Sequence, residues 1–178
     1  MSDSIADSLK SLKADCQCEN CVLKNLIFAH VPEKDADVLC EVKKERKFKK
    51  GDVIVEQGAP ISDFFYVKSG LVKLSKVSDQ KRNHIITIAK PHDYINLLTV
   101  FHEKEYAYSM TALEYTEICV FPLNLIIDLA LKHGNFALGI IKKSSKTSDA
   151  IIDKFIKHNS RNLRGRIAMT LLDFSLNI

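Results

Sequence analysis

The sequence predicts an α+β protein, in which an antiparallel β-roll or jelly-roll with flanking helices is followed by one long helix. Short runs of β-branched and aromatic residues recur at even spacing between positions 53 and 121. Turn sequences rich in glycine separate several of these runs, and seven or so such runs are typical of a roll or barrel. After Phe121-Pro122 the apolar residues follow a helical period instead.

The first part of the roll is predicted from two glycine-punctuated stretches. Residues 53–55, 64–68 and 71–74 are the apolar runs. Gly-Asp precedes the first run, Gly-Ala-Pro separates the first from the second, and Lys-Ser-Gly leads into the third. Glycine reaches positive φ without a Cβ clash, so Gly51, Gly58 and Gly70 mark the chain reversals of an antiparallel meander. Four further strands are predicted at residues 85–89, 94–98, 108–112 and 116–121.

Length and composition limit the class of protein. The chain has 178 residues, of which 46% are hydrophobic, and a formal net charge of +4. No window approaches the roughly 18 apolar residues that span a bilayer, and the polar N-terminus lacks a secretory apolar core. We therefore expect a cytoplasmic protein without a membrane partner. In that compartment, the five cysteines are expected to be thiols or ligands rather than disulfides.

The N-terminal segment, residues 1–40, precedes the roll. Ile5, Leu9 and Leu12 form a weak amphipathic pattern, and Cys16, Cys18 and Cys21 then place three thiols within six residues. Pro32 is predicted to start a helix that runs through Leu39 and Cys40, because proline suits the first helical turn. The roll itself is assigned to residues 41–133.

A long helix is predicted over residues 134–159. Its apolar residues recur at alternating spacings of three and four, which is typical of a helix that packs on another helix. The same helix of a second copy is the economical partner, so we expect a two-fold homodimer. The alternative is that this helix packs only on its own roll. The predicted interface residues are Phe136, Ile140, Thr147, Ile151 and Phe155.

A last amphipathic helix is predicted from Leu163 to Phe174, through Ile167, Leu171 and Leu172. Nothing else in the sequence is a natural partner for its apolar face. Residues 160–178 are therefore expected to be the first helix of a truncated second domain.

In this order of motifs the sequence resembles the Crp/Fnr family of bacterial transcription regulators. The resemblance implies a cyclic-nucleotide-binding-like roll, a dimerisation helix and a DNA-reading winged helix-turn-helix, which is not present in this chain. Arg161, Arg164 and Arg166 would at most be phosphate neighbours. The motifs that carry the resemblance are Lys50-Gly51-Asp52, Glu56-Gln57-Gly58, residues 65–73, Asp93-Tyr94-Ile95 ahead of Phe101, residues 111–114 and residues 118–122.

The resemblance also locates the effector site. Family members that bind cyclic AMP use a Gly-Glu pair for the ribose and an Arg-Ser pair for the phosphate. Here Asn96 and Leu97 occupy the first pair of positions, and Tyr106 and Ala107 the second. Because a buried phosphate requires a cation or donors, we expect no cyclic AMP binding of the usual kind. Tyr94 and Tyr108 would complete a less charged pocket for an unknown effector, unless the tyrosines merely fill the roll.

The thiols resemble part of the cysteine set that holds a [4Fe–4S] cluster in oxygen-sensing members. Cys18-x-x-Cys21 matches the N-terminal pair, and Cys119 matches the remote ligand. The remaining cysteine of that pattern falls near Ile27, so Cys16 would have to replace it. The same four thiols could hold zinc, two of them could form a redox switch, and Cys119 could simply pack in the core.

Taken together, these features predict a cytoplasmic, homodimeric, effector- or redox-responsive transcription regulator, of which this chain is the sensor and dimerisation part. A stand-alone regulatory or protein-interaction module without DNA binding is the alternative. A metal-dependent enzyme would need a histidine cluster, and a haem sensor would need His84 or His92 as an axial ligand. Since His84, His92 and His102 follow no metal-site motif, no enzyme is expected.

Overall fold

A computed structural model describes residues 31–177 of the chain. Helix α1 precedes seven strands, and three helices follow them. The helices are α1 (Glu33–Val42), α2 (Leu123–Lys132), α3 (Gly134–Asn159) and α4 (Leu163–Asn177). The strands are β1 (Lys44–Phe48), β2 (Val53–Val55), β3 (Asp63–Ser69), β4 (Val72–Val77), β5 (Asn83–Ala89), β6 (Ser109–Ala112) and β7 (Thr116–Pro122).

The strands form two antiparallel sheets, which confirms the predicted roll. One sheet has the order β1-β7-β3 and the other β2-β6-β4-β5. Gly70 connects β3 to β4 with a φ of +82°, and a Cβ at this position would lie 2.5 Å from the Tyr115 carbonyl oxygen. A side chain cannot be accommodated there, so the predicted glycine turn is a steric requirement.

Alternation along the strands divides the core into two clusters. Phe65 and Val67 of β3 face the space between the two sheets, together with residues of β4, β6 and β7. Phe64 and Tyr66 face the opposite side, where α1, α2 and Phe136 of α3 cover the three-stranded sheet. Successive side chains in a strand point to opposite faces, so β3 is buried on both of its faces.

The predicted strand at residues 94–98 was wrong. Only Tyr94 bridges to β3, opposite Tyr66, and the following residues form turns. The Asn96 carbonyl accepts hydrogen bonds from the amides of Thr99 and Val100. These short-range bonds turn the chain back on itself, which overrides the β propensity of the apolar run.

Helix α3 is found over Gly134–Asn159, as the sequence predicts. The structure corrects one part of the predicted dimer interface: Phe136 is 1% exposed and belongs to the chain's own core, and Ile140 packs against the same cluster. Phe136 is therefore not available to a partner, whereas Ile140 is only partly buried. None of the helices within residues 31–177 is long and apolar enough to cross a membrane.

Candidate functional site

The residues predicted to form an effector pocket lie along one segment, residues 94–108, and are divided between two core clusters. Leu97 is buried in the cluster beneath the helices, and Tyr94 packs against that cluster. Tyr106 and Tyr108 are buried between the two sheets, with Ala107 packed against them. The structure therefore distributes the predicted pocket residues over both sides of the sheet that contains β3.

Asn96 and Tyr106 meet at the backbone of β3. The side chain of Asn96 is fully buried, and its Nδ2 donates to the Asp63 carbonyl at 2.7 Å. Its Oδ1 accepts from the Phe65 amide at 3.1 Å, while the Tyr106 hydroxyl donates to the Asp63 carbonyl at 3.2 Å. Asn96 thus pairs with β3 as a neighbouring peptide group would, and both side chains serve the fold.

Burial also determines how the tyrosines ionise. Desolvation raises the pKa of Tyr106 to about 12, and it raises the pKa values of Tyr94 and Tyr108 as well. The Tyr108 hydroxyl donates to the Ile95 carbonyl at 3.2 Å. These phenols remain neutral donors at neutral pH, and the hydroxyls of Tyr106 and Tyr108 are directed at backbone carbonyls.

The positions that would hold a cyclic nucleotide carry different chemistry. Leu97 is 4% exposed and Tyr106 is 3% exposed, so neither side chain faces an open, solvated site. An aliphatic side chain cannot accept a ribose hydroxyl, and a neutral phenol committed to Asp63 cannot compensate a phosphate charge. This geometry supports the expectation that a cyclic nucleotide is not bound by the usual contacts.

Only one of the four candidate metal ligands lies in the described part of the chain. Cys119 is fully buried in β7, opposite Tyr66, in the cluster beneath α1. Val31, ten residues after Cys21, belongs to the same cluster. Cys16, Cys18 and Cys21 lie outside the described residues. Within residues 31–177, no group of three or more His, Cys, Asp or Glu side chains could hold a metal ion.

The candidate histidines of the roll have separate surroundings. His84 is exposed in β5, and His102 is exposed next to Glu103, with 3.5 Å between Nε2 and Oε1. His92 contacts the buried Tyr66, whose hydroxyl lies 2.7 Å from the ring Nδ1. The contact between His92 and Tyr66 could not be predicted from the sequence.

A second contact that sequence reasoning missed joins α1 to the end of α2. The Asp35 carboxylate accepts from Lys132 Nζ at 2.9 Å and lies 2.7 Å from His133 Nε2. The hydrogen bond from Lys132, followed by that from His133, lowers the pKa of Asp35 below its ordinary value of 3.8. Any stabilisation from this contact is present above that value and is lost as the pH falls through the lowered pKa.

Helix α3 exposes an apolar stripe next to the face that packs on the roll. Leu138, Ile141, Ile152 and Phe155 are 47%, 59%, 54% and 66% exposed. Together with Ser145 and Ser148 they follow each other at alternating spacings of three and four residues. We refer to these six residues as the exposed stripe. Its spacing matches the core positions of a two-stranded coiled coil.

Comparison with known proteins agrees with this architecture. Residues 45–133 match the family described as the cyclic nucleotide-binding domain. The transcriptional activator protein Anr of Pseudomonas aeruginosa is 31% identical over 166 residues, which cover 84% of this chain and 68% of that protein. The transcriptional activator protein FnrA of Stutzerimonas stutzeri is 28% identical over 130 residues, which cover 71% of this chain and 53% of that protein.

A solved structure of a transcriptional regulator's sensor domain has a similar fold. The sensor domain of the transcriptional regulator DNR from Pseudomonas aeruginosa superposes with a TM-score of 0.62 at 18% identity. The superposition covers 74% of this chain and 92% of that one. At 18% identity this structural similarity is evidence for the fold alone, whereas the sequence matches are evidence for family membership. The family match and the 31% identity to Anr show that this chain belongs to the Crp/Fnr family of regulators, with its cyclic nucleotide-binding domain at residues 45–133.

Proposed function

We propose that this chain is the sensor and dimerisation part of a transcription regulator, and that α3 pairs with α3 of a second copy. The observation that carries this proposal is the exposed stripe, because its large apolar side chains are about half exposed or more. Exposed apolar side chains arranged along one helix face favour association with a like surface. The curated relatives named above are transcriptional activators, which supports a regulatory rather than a catalytic role.

The stripe fits two parallel helices related by a two-fold axis. Leu138, Ser145 and Ile152 would occupy one set of core positions, and Ile141, Ser148 and Phe155 the other. Ile151 and Ile156 lie directly beside core residues of the stripe, at positions that contact the partner helix at the edge of a parallel coiled-coil core. The stripe is apolar at both ends, but Ser145 and Ser148 occupy its middle. This pairing would therefore be weaker than that of a coiled coil whose core positions are all apolar. A weak interface can be shifted by a small change in the sensor.

DNA binding is proposed for a domain that continues from α4 in the manner that the family resemblance implies. The exposed side chains of Leu163, Ile167 and Leu171 lie on one face of α4 and would pack against that domain. The mechanism is a population shift: an event in the roll changes how the two α3 helices pair, which changes the spacing of two DNA-binding domains.

Cyclic AMP is expected not to bind this chain through the contacts that are usual in the family. The reason is that Leu97 and Tyr106 stand where a carboxylate and a guanidinium would be needed, and both are buried. Isothermal titration calorimetry with cyclic AMP and cyclic GMP should give no saturable heat at millimolar nucleotide. Saturable binding of either nucleotide would contradict this assignment, unless a Tyr106→Phe variant binds with unchanged affinity and so places the nucleotide elsewhere.

The sensing chemistry is proposed to involve the thiols. Supporting this, Val31, which follows Cys21 by ten residues, belongs to the same core cluster as Cys119. Four thiolates from Cys16, Cys18, Cys21 and Cys119 would complete the coordination of an iron–sulfur cluster, or of one zinc ion. The protein would supply the four sulfur ligands and a core that shields Cys119 from solvent.

Metal analysis of protein purified without oxygen tests this part of the proposal. Iron and sulfide in equal amounts, with a visible absorbance band that bleaches in air, are expected for a cluster, and Cys119→Ala should abolish both signals. The matched control is Cys40→Ala, because Cys40 is a half-buried cysteine on α1 that belongs to no ligand set. Zinc at one equivalent would identify the alternative metal, and protein without either metal would remove the thiols from this role.

A further inference from the structure

The turn formed by Lys90, Pro91, His92 and Asp93 has an unusual backbone. The Asp93 amide donates to the Lys90 carbonyl at 3.1 Å, which closes a four-residue turn. His92, at the third position, has a φ of +76°, in the left-handed region that a turn with proline at its second position normally fills with glycine. A non-glycine residue in this region is strained, so surrounding contacts must hold the turn in place.

One group of these contacts leads into the roll. The His92 amide donates to the Val67 carbonyl, and its ring contacts the hydroxyl of Tyr66 at 2.7 Å. Tyr66 is 2% exposed and lies 5.5 Å from the ring of Tyr94, which in turn lies 5.3 Å from Phe64. Tyr66 is also the cross-strand neighbour of Cys119. The turn is thus connected to the aromatic cluster of Phe64, Tyr66 and Tyr94 beneath the helices.

The other group of contacts leads to α3. The Asp93 carboxylate uses its two oxygens differently: Oδ2 accepts from the Lys90 amide at 3.2 Å, and Oδ1 accepts from Lys143 Nζ at 3.2 Å. Lys143 Nζ also lies 5.9 Å from the centre of the Tyr94 ring. One carboxylate therefore closes the strained turn and anchors α3, and the same lysine contacts the aromatic cluster.

We propose that the Lys90–Asp93 turn is a coupling element that transmits rearrangements of the aromatic cluster in the roll to α3, through Asp93 and Lys143. Its strained conformation makes it a natural element with two arrangements, because losing the His92 contact to Tyr66 removes part of what holds it. When the turn relaxes, Asp93 no longer closes the turn, and Lys143 loses its anion. The consequence for pairing rests on the function proposed above, since Lys143 lies on the helix that carries the exposed stripe.

Amide hydrogen exchange along α3 measures the anchoring of this helix directly. Lys143→Met is expected to speed exchange of residues 140–147 about fivefold, because an ion pair and a cation–π contact are lost together. The matched control is Lys142→Met, the same substitution at the neighbouring, exposed lysine, and it should leave these rates unchanged. Equal rates in the two variants would overturn the anchoring role of Lys143.

Transmission is tested by Tyr66→Phe, which removes only the hydroxyl that contacts His92. This change should speed exchange in α3 about threefold in the parent protein and should have no further effect when Lys143 is already Met. If Tyr66→Phe leaves α3 unchanged, or acts equally in both backgrounds, the coupling proposal is wrong. Sedimentation of the same samples separates the two proposals: altered α3 exchange in a strictly monomeric protein would leave the coupling standing and refute the pairing.

Discussion

Replacing Ile141 and Ile152 together by aspartate is expected to convert the proposed dimer into a folded monomer. Both side chains are more than half exposed within the chain, so their replacement leaves its own core intact. In the proposed dimer each residue is buried against a partner helix, where loss of an isoleucine costs roughly 1.5 to 3 kcal/mol. The introduced carboxylates would also face their symmetry mates. Sedimentation velocity over a concentration series should show that dimer association is weakened by about a hundredfold or more.

The control for this experiment is Ile85→Asp, the same chemical change at a residue of β5 that is 64% exposed. Because Ile85 lies outside α3, its replacement should leave the association state unchanged. Circular dichroism would verify that all variants are folded. A dimer that persists in the Ile141→Asp, Ile152→Asp variant with similar affinity would show that α3 does not pair through the exposed stripe.

Asn96→Ala is expected to destabilise the fold by roughly 2 to 5 kcal/mol, a large fraction of the stability of a domain of this size. The substitution removes the two hydrogen bonds that the Asn96 side chain makes to β3. The Phe65 amide then lacks this acceptor in a buried environment, and the Asp63 carbonyl loses one of its two donors. Tyr106 would keep its own bond to Asp63. Urea unfolding followed by circular dichroism measures the change as a lower midpoint with a similar slope.

Asn83→Ala provides the matched comparison, because Asn83 is exposed at the start of β5. Its removal should change the free energy of unfolding by less than about 0.5 kcal/mol, as is usual for surface substitutions. Near-equal stabilities of the Asn96 and Asn83 variants would mean that the paired amide contributes little and that residues 94–100 are held by apolar packing alone.

The contacts of Asn96 show where sequence reasoning could and could not identify the candidate site. The motif order places Asn96, Leu97, Tyr106 and Ala107 at the effector positions, and their chemistry alone argues against the usual nucleotide contacts. Their division between two core clusters depends on how residues 94–108 fold back around β3. That path is governed by short-range turns and by an amide paired with a strand about thirty residues away, neither of which has a periodic signature.

Sequence by itself determined the roll, the long helix and the residue types at the expected effector positions, because alternation, helical period and residue type are local properties. Only the tertiary structure decided which face of α3 meets the roll. Two adjacent stripes of this helix are apolar. Helical spacing alone does not determine which of them packs on the roll. Burial of Phe136 and the contact of Lys143 with Asp93, fifty residues away, assign one face to the roll and leave the exposed stripe facing away from it.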